Sequence, residues 1–183
     1  MQRRRAAERG LALWNKMERA SGELFALTYG AVVTQLLADY EDARATEEQL
    51  EKMGYNIGTR LIDEFLAKAQ MAACASFPDA AEAIAKVGFR MFLGVSVEVA
   101  DASATAFTLQ LAENPLADFV QLPERYARLQ YSNLLCGVLR GAMEMVRYRV
   151  ACSLTRDMLW GDELTEIRVE LKEVVEEEYH DDE

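Results

Sequence analysis

The spacing of apolar residues changes period along this chain, and that change limits the folds open to it. From about residue 21 to residue 94 apolar positions recur every three or four residues, the helical repeat. Phe25, Tyr29, Val32, Val33, Leu36 and Tyr40 share one face of a helix predicted over about 21–41. A second helix is predicted from Thr46, with Gln49 three residues on as a capping box and an apolar stripe of Leu50, Met53, Ile57, Leu61 and Phe65. A third opens near Ser76–Asp79, with Pro78 in the first turn, where a missing N–H costs little. Ile84, Val87, Met91 and Phe92 form its apolar side and Gly94 ends it. The period then drops to two. Val95, Val97 and Val99 alternate with polar neighbours, as do Phe107, Leu109 and Leu111, and together they read as a hairpin. Asn114-Pro115 breaks the chain.

A fourth helix is predicted over roughly 128–148. It carries Gly137, Gly141 and Ala142, and glycine inside a helix is costly enough to imply a packing reason, the close approach of another backbone. Beyond it Val150, Cys152, Leu154, Met158 and Trp160 alternate up to Gly161-Asp162, and Ile167, Val169 and Leu171 alternate after it. The expected fold is therefore α+β: four main helices on one face of an antiparallel sheet built from two hairpins.

The two ends differ in charge. Residues 1–19 hold Arg3, Arg4, Arg5, Arg9, Lys16 and Arg19 against Glu8 and Glu18, a net +4. Residues 170–183 carry a net −7. We divide the chain into a basic N-terminal extension, 1–20, a single domain, 21–175, and an acidic tail, 176–183. The first segment suits a frayed extension of the helix that follows it, with an amphipathic membrane-surface segment or a transit peptide as alternatives. A net charge of −11 argues against nucleic acid as the main partner. No apolar run reaches the ~20 residues that cross a bilayer, and no secretory signal is expected.

The inventory of reactive groups is short. His180, in the acidic tail, is the one histidine, which disfavours Ser/His/Asp and Cys/His catalysis and His-based zinc sites. The three cysteines, Cys74, Cys136 and Cys152, form no metal-ligand spacing and suit a reducing compartment. No metal site and no catalytic residue is expected, and an enzyme using Cys74 ranks last because no general base lies near it in sequence. Cys74 is still the local oddity. It sits between two predicted helices among small residues, where the following helix is expected to lower its pKa.

Six segments then carry a resemblance: Ser21–Glu41 (SGELFALTYGAVVTQLLADYE), Met53–Lys68 (MGYNIGTRLIDEFLAK), Ala83–Gly94 (AIAKVGFRMFLG), Glu113–Glu124 (ENPLADFVQLPE), Tyr131–Val146 (YSNLLCGVLRGAMEMV) and Gly161–Val169 (GDELTEIRV). In this order the chain resembles the Bet-three family of transport protein particle (TRAPP) subunits from about residue 21 to 170. The resemblance implies an α-β plait whose members pair side by side as homodimers or heterodimers. It implies a cytoplasmic assembly, peripheral to the cis-Golgi membrane, that tethers vesicles arriving from the endoplasmic reticulum. That assembly promotes nucleotide exchange on a Rab-family GTPase, and the acidic tail lies where family members approach it. The resemblance also implies a long acyl chain, usually palmitoyl, held as a thioester on Cys74 inside a hydrophobic tunnel. Gly88 would face that tunnel, with Val87, Met91 and Leu135 as further lining. The alternative is a sensor domain of related fold that binds a hydrophobic ligand reversibly.

Overall fold

Three of the helices start where a short polar side chain accepts from one of their first free N–H groups. The computed structural model describes residues 2–70, 74 and 76–175, with side chains from Arg5 onward. Ser21 caps α2 (Gly22–Tyr40), its hydroxyl accepting from the Leu24 N–H at 3.2 Å. Asp42 caps α3 (Ala43–Ala69), accepting from the Ala45 N–H at 2.8 Å. The helix thus opens before the predicted Thr46/Gln49 box. Thr46 lies buried in its first turn and donates to the Asp42 carbonyl at 3.0 Å, while the Asp42 carboxylate takes the capping role. Ser76 caps α4 (Phe77–Ala83), with Pro78 in the first turn as expected.

After α4 the chain continues through a π-helical segment, Ile84–Gly88, into α5 (Phe89–Leu93), and Gly94 closes it in the left-handed conformation at φ +74°. The N-terminal residues form a helix of their own, α1 (Gln2–Lys16), separated from α2 by a non-helical stretch; they do not extend α2. Its seat is tight. A Cβ on Gly10 would lie 2.2 Å from the Lys86 carbonyl, and the Trp14 ring stands 2.8 Å from where a Gly94 Cβ would be.

The sheet is antiparallel throughout, in the order β1 (Val97–Ala100), β2 (Ala106–Leu111), β4 (Thr165–Val174), β3 (Tyr148–Arg156). Both predicted hairpins are present, and β2 pairs with β4 to join them, Phe107 opposite Val169 and Leu109 opposite Ile167. Met158 and Trp160 do not continue β3. They form a 3-10 turn capped by Asp157, and the Trp160 indole N–H donates to the Leu129 carbonyl at 2.9 Å. The sheet's inner face buries Phe107, Leu109, Leu111, Val150, Leu154, Ile167 and Val169. Phe77 of α4 packs on Phe107, with ring centroids 5.0 Å apart. Outer-face residues pair with one another, as Arg168 does with Thr108 and Gln110 with Glu166, the usual pattern for a sheet with one wet face.

α6 (Asn133–Met145) lies against β3 on one side and α3 on the other, so it is the central layer. Its contact with α3 is made by backbones. A Cβ on Gly137 would lie 2.0 Å from the Glu51 carbonyl, and one on Gly141 2.3 Å from that of Tyr55. The arrangement is reciprocal: Gly54 faces the Leu134 carbonyl at 2.0 Å and Gly58 the Val138 carbonyl at 2.2 Å. At the edge of this contact Arg140 pairs with Glu51 through two nitrogens, the second at 3.1 Å, and lies over the Tyr55 ring at 4.3 Å.

Candidate acyl-chain site

An apolar cavity of about 320 Å³ lies beside the α3–α6 contact. Ile57, Leu61, Ile62 and Phe65 of α3 form one wall, and Leu134, Leu135, Val138, Leu139 and Ala142 of α6 the second. The third comes from the α4–α5 unit, through Ile84, Gly88, Phe89, Phe92 and Leu93. Phe25 of α2 and Ile57 stand at its rim, each more than two-fifths exposed (44% and 43%). The volume lies within the roughly 300–1,000 Å³ of small-molecule sites. The lining offers hydrocarbon on all three walls and no charged side chain, so the space suits an apolar ligand.

Gly88 and Leu135 stand on these walls. A Cβ on Gly88 would meet the Phe65 ring at 3.9 Å, an ordinary contact, so the glycine leaves cavity space that any longer side chain would enter. Val87 and Met91 do not line the cavity. Both are buried, on the side of the helical unit turned away from Ile84, Gly88 and Phe92, which follow one another at four-residue spacing. The wider turn of the π-helical segment falls here, and such segments recur at functional sites. Ile57, Leu61 and Phe65 appeared in the sequence only as a helical stripe. Leu50 of that stripe is core, whereas these three face the cavity. Ile84 and Phe92 were read as ordinary apolar side; their spacing around Gly88 was the available signal.

Cys74 is half-buried in the connection between α3 and α4, packed against the core, and is not itself among the residues lining the cavity. The expected lowering of its pKa by the following helix does not occur. Burial pushes the thiol up, and the Asp79 carboxylate pushes it further. Asp79 stands in the first turn of α4, held by the Ser76 hydroxyl at 2.8 Å, so its negative charge offsets the helix terminus that would have favoured a thiolate. Burial also pushes Cys136 up to about 12 and raises Cys152. Among the described residues no cluster of histidine, cysteine or acidic side chains is placed to hold a metal ion. No described helix is long and apolar enough to cross a membrane. His180 and the acidic tail lie outside the described residues.

Residues 25–170, most of the chain, match the family of transport protein particle (TRAPP) components. The chain belongs to that family. It is 53% identical over 169 residues to the trafficking protein particle complex subunit 3 of Dictyostelium discoideum, covering 91% of each chain. It is 43% identical over 174 residues to the trafficking protein particle complex subunit BET3 of Saccharomyces cerevisiae, covering 92% of this chain and 90% of that one. The fold matches a solved TRAPP structure, the trafficking protein particle complex subunit 3 of Naegleria fowleri covalently bound to palmitic acid. The TM-score is 0.82 and the identity 53%, over 85% of this chain and 98% of that one. The α-β plait expected from the TRAPP resemblance is the fold observed.

Proposed function

We propose that this chain is a core scaffold subunit of a TRAPP assembly that tethers vesicles between the endoplasmic reticulum and the Golgi, and that it holds a palmitoyl or similar long acyl chain as a thioester on Cys74. In this reading it has no catalysis of its own. It contributes surface to nucleotide exchange on a Rab-family GTPase, and it works in the cytoplasm at cis-Golgi membranes and transport vesicles. The domain is 21–175, with the basic segment 1–20 and the acidic tail 176–183 as additions to it.

One observation carries the acyl assignment: the all-apolar cavity walled by α3, α4–α5 and α6, with Cys74 in the connection joining two of those walls. Enclosing about 15 methylenes at ~0.8 kcal/mol each contributes up to ~12 kcal/mol. A chain held inside the protein anchors no membrane; it completes a core that the side chains leave open. The partner surface in this reading is the outer side of α2. From Leu24 to Ala38 that helix carries no charged residue, and Leu24 and Leu27 are 66% and 56% exposed. An uncharged helix with large exposed apolar side chains belongs inside an assembly, here against another TRAPP subunit in a homodimer or heterodimer.

The raised pKa of the Cys74 thiol favours one second reading, a reversible hydrophobic-ligand sensor, because a protonated thiol is a poor nucleophile. Intact mass with and without neutral hydroxylamine separates the two. A long-acyl mass excess lost on treatment, and absent from Cys74→Ser, supports the thioester. Lipid released by organic extraction from protein of unmodified mass supports the sensor. If Cys74→Ser changes neither acyl content nor melting temperature, the acyl assignment is wrong.

A further inference from the structure

The three walls do not close the apolar cavity. Its mouth opens between α2 and α3, where Phe25 and Ile57 line the cavity and yet stay exposed. The same two side chains belong to a larger uncovered apolar area. On α3, Met53 stands one turn before Ile57 and is 36% exposed; on α2, the exposed Leu24 immediately precedes Phe25. The cavity and the partner-facing surface of α2 therefore share a border, and Phe25 stands on it. α2 is also lightly held. Its buried residues are Ala26, Tyr29 and Val33, and the rest of the helix is exposed or half-buried. On the side turned toward the cavity, Phe25 faces open space where a core helix would meet packed side chains.

We propose that filling the cavity and pairing through α2 are coupled: the partner subunit closes the mouth at Phe25 and Ile57, and an acyl chain inside fixes Phe25 and with it the face that the partner meets. The coupling rests on the acyl and pairing readings above and adds the link between them. With the cavity filled, the Phe25 ring has hydrocarbon beneath it and its outer edge stays at the surface. With the cavity empty, turning the ring inward covers bare apolar wall, the favourable direction for hydrocarbon in water. α2 then follows the ring or loses that part of its outward face. In the other direction, a partner seated over Leu24 and Phe25 keeps water from the mouth and so stabilises the hydrocarbon within. The two effects are equal by linkage: the factor by which an enclosed chain tightens pairing is the factor by which pairing favours its enclosure. The acyl chain thereby acts as an assembly signal, and a subunit with an empty cavity is the poorer partner.

The test compares one preparation of the full chain before and after neutral hydroxylamine, which cleaves a thioester to the free thiol and an acyl hydroxamate. Intact mass gives the acyl state of each sample, circular dichroism its fold, and light scattering across a dilution series its association constant. The acylated chain is expected to pair about fivefold more tightly than the cleaved one, or better. Phe25→Ala, which removes the ring at the border, is expected to leave acylated and cleaved samples pairing alike. Where the cleaved chain does not hold its fold, Gly88→Leu takes its place: its side chain occupies cavity space without an acyl group, and it is expected to pair as the acylated parent does. Equal association constants for folded acylated and cleaved chains overturn the coupling and leave the two readings beneath it standing. So does a difference that persists unchanged in Phe25→Ala, or a folded Gly88→Leu that pairs about fivefold more weakly than the acylated parent. A chain of unmodified mass, or one that stays monomeric at every concentration, overturns the underlying reading and the coupling with it.

Discussion

At the residue scale, Gly88 and Cys136 make opposite demands. Gly88 leaves volume open, and Gly88→Leu should push a branched side chain into the cavity toward Phe65. The expected result is loss of the hydroxylamine-labile mass with a melting temperature above that of Cys74→Ser, because the leucine fills part of the space that an absent acyl chain leaves. Retention of the full acyl mass in Gly88→Leu would place the chain elsewhere. Cys136 is closed in, with its thiol pushed up to about 12 by burial. Its ordinary value is 9.0, so the folded state holds the proton more tightly than the unfolded one. The stability this contributes is complete below pH 9 and is lost as pH rises toward 12, at about 1.4 kcal/mol per unit. Urea unfolding at stepped alkaline pH should show this slope, and Cys136→Ala should flatten it. In the sequence Cys74 stands out by its small neighbours between two helices, whereas Gly88 enters only through the family resemblance. The pKa of Cys74 was misjudged because a helix N-terminus is visible in a sequence, whereas burial and the position of Asp79 are not.

At the element scale, the contact of α3 with α6 is the most sensitive to substitution. Gly137→Ala places a methyl carbon where the Glu51 carbonyl already stands, and neither backbone can yield without moving its helix. We expect ~3 kcal/mol of destabilisation in urea melts, against less than ~0.5 kcal/mol for Gly22→Ala, which meets nothing. The sequence announced half of this contact, since Gly137 and Gly141 stood out in an otherwise good helix. Gly54 and Gly58, at the matching four-residue spacing in α3, are the other half. Helices and strands were visible through their periods. The turn at Met158–Trp160 was not, because Leu154, Met158 and Trp160 keep an even spacing whether or not the chain leaves the strand. Nor was the π-helical segment, since an extra residue per turn leaves no mark in composition. α1 was missed for a related reason: its seat is built from Gly10, Trp14 and the carbonyl of Lys86, not from an apolar stripe.

At the scale of the whole molecule, the outer side of α2 sets the expected association. Leu27→Glu leaves the buried Ala26, Tyr29 and Val33 in place, so the subunit should remain folded while pairing weakens by tenfold or more, read by light scattering across a dilution series. An unchanged association constant would move the interface to another face. The three walls of the cavity also come from distant parts of the chain. α3 is made early and α6 late, with the mutually facing glycines roughly 80 residues apart, a separation that makes their meeting a slow, late event. While the chain emerges from a ribosome, Ile57, Phe65, Ile84 and Phe92 have no opposing wall, and they form an uncovered greasy strip until residues 133–145 arrive. The apolar cavity therefore comes into being only near the end of synthesis. Until then that strip is open to water, the stage at which chains of this size are most exposed to aggregation.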